Sequence, residues 1–355
     1  METEADHSVL LQILQAAESR RGFCAPNPAV GAAVVRDGRI LARGRHFAAG
    51  HPHAEVEALQ QLDKEALQGA SLYVTLEPCC HQGKTAACTD LIIASGIKRV
   101  VFSMMDPNPL VAGKGMKALQ AAGIDCQHVP LSEITEFYRS YVFWQEHQRP
   151  FVTLKLAISA DHKIAGEHGS PVTITGKNCE TLTHQFRLDS DAILTTAQTI
   201  ISDDPQMNVR IADKVISKPV YILDTKCRLP LNARVLKTAA SVTVYHADHC
   251  EEKKIKALEE QGVHCVPVPI YDQGLNLDVV LDDIGAEGVH DLWVEAGAQC
   301  FHAFYQGQLA QCVILYRSQK ILGEHAVPAF LAPMDFKNFA WQEYGEDEVG
   351  VLISN

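Results

Sequence analysis

The sequence has no apolar run approaching the about 18 residues of a bilayer span, which argues against a membrane helix. Its opening, METEADHSVL, is acidic and lacks a basic leader, so no export signal is expected and the expected location is cytoplasmic. Basic residues are the scarcer charge. Against 43 Asp and Glu there are 31 Lys and Arg, a formal net charge of −12, which speaks against an extended nucleic-acid footprint. No G-x-G-x-x-G follows any strand-like segment, so a Rossmann unit is not expected. Internal repeats and low-complexity tracts are also missing. The eleven cysteines are odd in number and form no regular framework, which reads as reduced thiols and not as a disulfide scaffold.

What is present is ordinary globular composition, 47% hydrophobic and 21% charged, in 355 residues, a length that suggests two domains of about 150 residues each. Chemistry concentrates in residues 51–90, HPHAEVEALQQLDKEALQGASLYVTLEPCCHQGKTAACTD. His53, Cys79 and Cys88 form a candidate zinc site, and three protein ligands leave a fourth tetrahedral position for water, as at catalytic zinc. Two thiolates cancel the charge of the cation, so its water is acidified less than at a three-histidine site and a nearby carboxylate must take the proton; Glu55 is placed for that role. Pro52 suits a helix start, and VEALQQL continues with helical periodicity, which predicts His53 and Glu55 in the first turn. SLYVTLE (71–77) reads as a strand, so Pro78 and Cys79 fall past its C-terminal end, where open α/β sheets bind ligands.

Any one of these residues alone is weak, since a lone Cys is usually a small buried hydrophobe and a lone His a satisfied polar group. A purely structural zinc site would need a fourth ligand, and His51, Cys80 or His81 are near enough in sequence to offer one. H-x-E followed by P-C-x-x-C is the signature of zinc nucleobase deaminases; here the first half matches, while eight residues separate Cys79 from Cys88.

Taken together, HAE, TLEPCCHQGKTAAC and DPNPLVAGKG resemble the deaminase domain of the bifunctional riboflavin-biosynthesis deaminase/reductases, and the long cysteine spacing separates them from cytidine and tRNA-adenosine deaminases. The resemblance implies deaminase substrate contacts at Asn27, His46, His81, Lys84, Asp106 and Asn108, with Lys84 a natural phosphate partner. On bare sequence Asn27 and DPNP are turn chemistry, His46 is a strand-end residue, and a loop Lys is solvated.

Residues 8–22 read as a helix with Ser8 as a cap, PNPAVGAAVV and RILARGRH as a hairpin turning at Asp37 and Gly38, and KRVVFSM as a further strand between helices near 86–95 and 115–122. Strand-helix alternation implies parallel pairing. An aromatic-rich helix, SEITEFYRSYVFWQEH, ends this unit, and QRP (148–150) reads as a short linker. The expected domains are 1–147, a cytidine-deaminase-like α/β/α unit, and 151–355, a dihydrofolate-reductase-like α/β unit with strands near 151–158, 190–195, 219–224, 241–246, 290–296 and 311–317.

In this second half, LKLAISADHKIAG, ILTTAQTIISDDPQMNVR and LWVEAGAQCFHAFYQGQL resemble the NADPH-using pyrimidine reductase domain of the same family. The resemblance implies substrate contacts at Lys155, Asp161, Arg187, Arg210 and Glu295, the two arginines being suited to a 5′-phosphate, and cofactor contacts at Ala157, Thr173, Thr199, Asp203, Thr225 and Gly297. Read physically, WVEAGAQ is a strand, a glycine turn and a helix start, an anion site for cofactor phosphates. Three positions depart from the family: His162 replaces its Gly, Pro171 its Ser and Thr173 its Trp.

The expected function is therefore zinc-dependent deamination of 2,5-diamino-6-ribosylamino-4(3H)-pyrimidinone 5′-phosphate followed by NADPH-dependent reduction of the ribosyl chain to ribityl, with one Zn2+ per chain and NADPH as cofactors. Two rivals stand beside it: a deaminase whose second domain has lost or weakened NADPH chemistry, motivated by the three departures, and a nucleic-acid deaminase, disfavoured by the acidic charge. The expected partner is the small pyrimidine nucleotide, with no nucleic acid and no membrane, and the expected assembly is a homo-oligomer.

Overall fold

The computed structural model describes residues 2–80, 87–109, 111–272 and 274–354, and the chain divides into two compact units, Met1–Gln148 and Arg149–Asn355.

The first unit contains α1 (Glu2–Glu18), β1 (Gly31–Arg36), β2 (Arg39–Arg45), α2 (Ala54–Leu59), α3 (Lys64–Leu67), β3 (Ser71–Leu76), α4 (Cys88–Ser95), β4 (Arg99–Met104), α5 (Lys114–Ala121), β5 (Asp125–His128), α6 (Ser132–Phe137) and α7 (Arg139–His147). The sheet order is β2-β1-β3-β4-β5, antiparallel across β2, β1 and β3 and parallel from β3 to β5. Alternation along the strands feeds two cores, because successive side chains point to opposite faces. Ala32, Val34, Leu72, Val74, Val100 and Phe102 pack with Ala54 and Ala58 of α2, Ile92 of α4 and Leu119 of α5. Ala33, Val35, Tyr73 and Val101 face the other way, onto Leu10 and Ile13 of α1 and Ile134 and Tyr138.

Three expectations need correction here. Helix α1 begins at Glu2, so Ser8 lies in its interior and caps nothing, and it ends at Glu18. Its acidic start is held by tertiary contact, Arg99 Nη2 donating to Asp6 Oδ2 at 2.7 Å. The 132–147 helix is interrupted at Tyr138, whose φ of −88° and ψ of 5° leave the helical region while its hydroxyl bonds Thr75 Oγ1 at 2.6 Å and donates to the Ala29 carbonyl at 3.0 Å. His53 is the N-cap of α2, in extended backbone, and not part of its first turn.

The second unit contains β6 (Phe151–Ile158), β7 (Lys163–Glu167), α8 (Lys177–Asp189), β8 (Ala192–Thr196), α9 (Ala197–Asp203), β9 (Val209–Ile211), β10 (Lys214–Ile216), β11 (Pro219–Leu223), α10 (Val235–Thr238), β12 (Ser241–His246), α11 (Glu252–Glu259), β13 (His264–Pro267), β14 (Ile270–Tyr271), β15 (Gly274–Leu275), α12 (Leu277–Ala286), β16 (Asp291–Glu295), α13 (Ala298–Gln306), β17 (Cys312–Arg317), β18 (Ala326–Pro328), β19 (Ala340–Tyr344) and β20 (Asp347–Ile353). Nine strands form one sheet in the order β13-β12-β11-β8-β16-β6-β17-β20-β19, parallel from β13 to β17 and antiparallel at the last two. Val152, Leu154, Leu156 and Ile158 of β6 and Leu292 and Val294 of β16 enter the main core, with α12 and α13. The alternate residues Lys155, Trp293 and Glu295 therefore stand on the opposite face, where Trp293 stacks on Phe186 of α8 with ring centroids 4.8 Å apart.

Candidate active sites

In the first unit, α2 is seated on β2 where Gly44 lies so close to the Ala54 carbonyl that a Cβ would collide with it, and the Arg45 amide donates to Glu57 of the same helix. This seating brings His53 to the end of β3, where Cys79 follows. Its Nδ1 lies 3.6 Å from Cys79 Sγ and 3.2 Å from Cys88 Sγ, and the Cys88 amide points at Cys79 Sγ at 3.5 Å. The three ligand atoms all lie within 4.8 Å of one another. A tetrahedral zinc with usual bond lengths separates its sulfur and nitrogen ligands by about 3.6 Å, so the set already has the right span. Among the described residues neither His51 nor Cys80 joins this group; His81 and Lys84 lie outside them.

Glu55, on the first turn of α2, is buried. Burial pushes its carboxyl up, and the Cys79 thiolate adds to the shift, to about 7, a value at which one carboxyl can both accept and return a proton. The two thiols share a hydrogen bond that lowers the pKa of the Cys79 sulfur and raises that of Cys88.

The other predicted residues around this centre are also placed. His46 is buried; its Nδ1 sits 3.0 Å from the Pro52 carbonyl and its Nε2 3.1 Å from Asn27 Nδ2. Donation by the Asn27 amide to Nε2 requires the proton on Nδ1, and burial lowers the pKa of this ring. The ring stands edge-on to His53, centroids 5.4 Å apart. Asp106 follows β4, accepting from the Asn108 amide at 2.9 Å and the Tyr141 hydroxyl at 3.3 Å, and burial raises its carboxyl to about 6. A residue that the sequence reading passed over holds this loop. Buried Glu77 accepts from the amides of Asp106 at 3.4 Å, Gly113 at 2.9 Å and Met116 at 3.0 Å. It stands in the quoted TLEPCC run, but nothing in that run shows which amides it meets.

In the second unit the C-terminal ends of β11, β8, β16 and β6 lie side by side, and Thr225, Thr199, Gly297 and Asp161 follow those ends in turn. Thr196 caps α9, accepting from the Thr199 amide at 3.3 Å, with the two hydroxyls 3.1 Å apart. Asp203 is the last residue of α9. Gly297 caps α13, and a Cβ there would project into open space, leaving room for a phosphate against the helix start. Asp161 accepts from Ser159 Oγ at 2.6 Å and from the amides of Leu322 and Gly323 at 3.0 and 2.8 Å, bonds that hold its carboxyl near 2. Ala157 pairs with Tyr316 across β6 and β17.

Glu295 and Lys155 are register partners. Arg187 grips Glu295 with both arms of its fork, Nε to Oε1 at 2.6 Å and Nη2 to Oε2 at 2.9 Å, and Nη1 donates to the Asn208 carbonyl at 2.9 Å. Burial would raise the Glu295 carboxyl, but Arg187, with help from Lys155 and the Trp293 indole, holds it near 2. Burial lowers the Lys155 ammonium, whose Nζ stands 5.0 Å from the centre of the Tyr316 ring. Arg210 is more open, its Nη1 donating to Asn208 Oδ1 at 2.8 Å. Sequence reading grouped the two arginines as phosphate ligands; in the structure the fork of Arg187 is committed to Glu295, and Arg210 is the guanidinium facing solvent.

The departures have local explanations. His162 has a φ of +57°, the left-handed conformation that favours glycine, and its ring packs on Phe336 with centroids 4.9 Å apart. Pro171 and Thr173 are exposed, and the Thr173 carbonyl accepts from Lys320 Nζ at 2.6 Å.

These features define a class: a zinc hydrolase acting on a nucleobase, joined in one chain to a doubly covered parallel-sheet reductase. Residues 3–104 match the profile of the cytidine and deoxycytidylate deaminase zinc-binding region, and residues 150–350 that of the RibD C-terminal domain. Riboflavin biosynthesis protein RibD of Aquifex aeolicus is 38% identical over 322 residues, covering 90% of this chain and 89% of that protein; the Escherichia coli protein of the same name is 34% identical over 330 residues, with 90% and 89% coverage. Among solved structures, Acinetobacter baumannii RibD (form 2) superposes with a TM-score of 0.86 at 30% identity over 99% of both chains, and the Thermotoga maritima diaminohydroxyphosphoribosylaminopyrimidine deaminase/5-amino-6-(5-phosphoribosylamino)uracil reductase with 0.86 at 30% over 100% of both.

The chain belongs to the RibD family of bifunctional riboflavin-biosynthesis deaminase/reductases. Both activities, and with them Zn2+ and NADPH, come with that membership, and the match over 150–350 does not favour the reading in which only the deaminase survives. Among the described residues no helix is long and apolar enough to cross a membrane.

Proposed function

We propose that the two reactions are divided between the residues as follows, in domains bounded near 147 and 151. His53, Cys79 and Cys88 would hold the zinc, which would supply the Lewis acidity that activates water near neutral pH. Glu55 takes the proton of the attacking water and returns it to the departing amine, so that ammonia leaves the pyrimidine ring. The observation that carries this reading is the convergence of His53 Nδ1 with both cysteine sulfurs beside a buried carboxyl. Asn27 fixes the tautomer of His46 and faces the pyrimidine with it; Asp106 and Asn108 close the other side, held by Glu77. His81 and Lys84 contact the substrate, Lys84 as the partner of its phosphate.

In the second domain bound NADPH would supply the hydride for reduction of the ribosyl chain. Gly297, Thr199, Asp203, Thr225, Ala157 and Thr173 line its binding edge. Lys155, held beside Glu295 and kept below the usual ammonium pKa, hydrogen-bonds the sugar, and Arg210 takes the phosphate. Arg187 acts by fixing Glu295, and Asp161 by fixing the 322–323 turn. The working form is a cytoplasmic homo-oligomer.

The test is a two-step assay of the full chain with the diaminopyrimidine substrate, measuring ammonia release and NADPH oxidation separately. Both are expected. Ammonia without NADPH oxidation would refute the reductase assignment, and neither would refute the reading as a whole.

A further inference from the structure

The second unit carries a thiol and imidazole cluster that neither reaction uses. Strands β11 and β12 are parallel neighbours, with Leu223 opposite Tyr245, so the turns that follow them emerge at the same edge of the sheet. The first turn is closed by the Cys227 amide on the Asp224 carbonyl at 3.1 Å, and the second by the Cys250 amide on the Ala247 carbonyl at 3.1 Å. Between them they bring Cys227 Sγ, a ring nitrogen of His246 and Cys250 Sγ within 4.8 Å of one another.

Two further features suit a ligand set. Cys227 and His246 are buried, and His246 Nδ1 lies 3.0 Å from the Ala247 carbonyl. Donation there fixes the ring and leaves Nε2 bare, the arrangement that orients metal-bound histidines. Cys227 has a φ of +49°, a left-handed conformation that a cysteine seldom adopts and that its surroundings must hold.

We propose that Cys227, His246 and Cys250 bind a second zinc ion, one that braces the fold and takes no part in either reaction. Thiolate and imidazole donors select zinc over the oxygen-seeking cations. The metal braces the loop that carries Thr225: the Thr225 carbonyl accepts from the Ala247 amide at 3.4 Å, and the tie that Cys250 Sγ–H makes to the same carbonyl at 3.3 Å is replaced by the metal bond when that sulfur gives up its proton. Its chemical effect would thus be on the order of the cofactor edge, not on bond breaking.

Metal analysis of the full chain, purified under reductant with Zn2+ present and then freed of loosely held ion, tests this. The parent is expected to hold two zinc ions. The Cys227→Ser/Cys250→Ser chain should hold one, keep its deaminase activity and melt at a lower temperature. Because that variant could fold poorly in the second unit, His246→Gln provides a second reading, and Co2+ titration a third: thiolate-to-cobalt charge-transfer absorption should survive in a Cys79→Ala/Cys88→Ala chain and vanish when Cys227 and Cys250 are replaced as well. A parent with one zinc that the Cys227→Ser/Cys250→Ser chain retains, absence of the cobalt absorption in the Cys79→Ala/Cys88→Ala chain, or a Cys227–Cys250 disulfide in protein kept under reductant would overturn the proposal.

Discussion

Replacing Arg187 by Met isolates the ion pair at the centre of the second unit. The Arg187 side chain is 9% exposed and that of Glu295 14%, and the fork closes both carboxylate oxygens. Methionine fills part of the volume but leaves Glu295 charged, buried and facing only Lys155 and the Trp293 indole. Breaking one side of such a pair costs about 3–5 kcal/mol. The depression of the Glu295 carboxyl from 4.5 to about 2 corresponds to roughly 3 kcal/mol, which agrees. For a unit of this size that predicts a fall in Tm of roughly 6–20 °C, read by calorimetry as the transition of the second unit.

The pH dependence follows from the sign of the shift. A carboxyl depressed on folding contributes stability that is fully present above its ordinary pKa, 4.5, and is lost as pH falls toward 2. An Arg187→Met/Glu295→Leu chain should lack that component and recover most of the lost stability, since replacing both partners removes the stranded charge. A single variant within about 1 kcal/mol of the parent, or a double variant no better than the single one, would show that the pair is not what holds this face together.

The remaining predictions concern individual contacts. Thr173→Trp should tighten NADPH by about tenfold to a hundredfold, from roughly 1.5–3 kcal/mol of aromatic burial, measured by fluorescence titration; weaker binding would mean that another residue fills this place. At the +57° position His162→Gly should be more stable than His162→Ala by about 1 kcal/mol in urea unfolding, and equal stability would remove backbone conformation as the reason the family uses glycine there. Glu77→Ala leaves the amides of Asp106, Gly113 and Met116 unmet at about 1–3 kcal/mol each, so the chain should keep its His53-site zinc while KM for deamination rises; an unchanged KM would deny Glu77 a positioning role.

The zinc centre was readable because its parts are short-range. His53 and Glu55 lie in one tripeptide, Cys79 follows a strand, and Cys88 starts a helix. The clamp of Glu77 and the Arg187–Glu295 pair were not, because each joins residues from 29 to 108 positions apart that only the sheet brings together. Edge strands such as β5 and β13 are four residues long and mostly polar or half-exposed, so they carry no alternation to detect. The break at Tyr138 arises from hydrogen bonds to Thr75 and Ala29, again invisible in the local pattern. At 162 the departure from the family suggested lost function, whereas the backbone there has a φ of +57°, the region that favours glycine, now occupied by a histidine.

The central claim, two separate chemistries in one chain with Glu55 carrying the proton of the first, is tested most directly by Glu55→Gln. The amide has nearly the same shape and cannot accept the proton, so ammonia release should fall by about 10²–10⁴-fold while zinc content stays at the parent's level. Given the already deaminated pyrimidine, the same variant should oxidise NADPH at the parental rate. Parental ammonia release in Glu55→Gln would contradict the account.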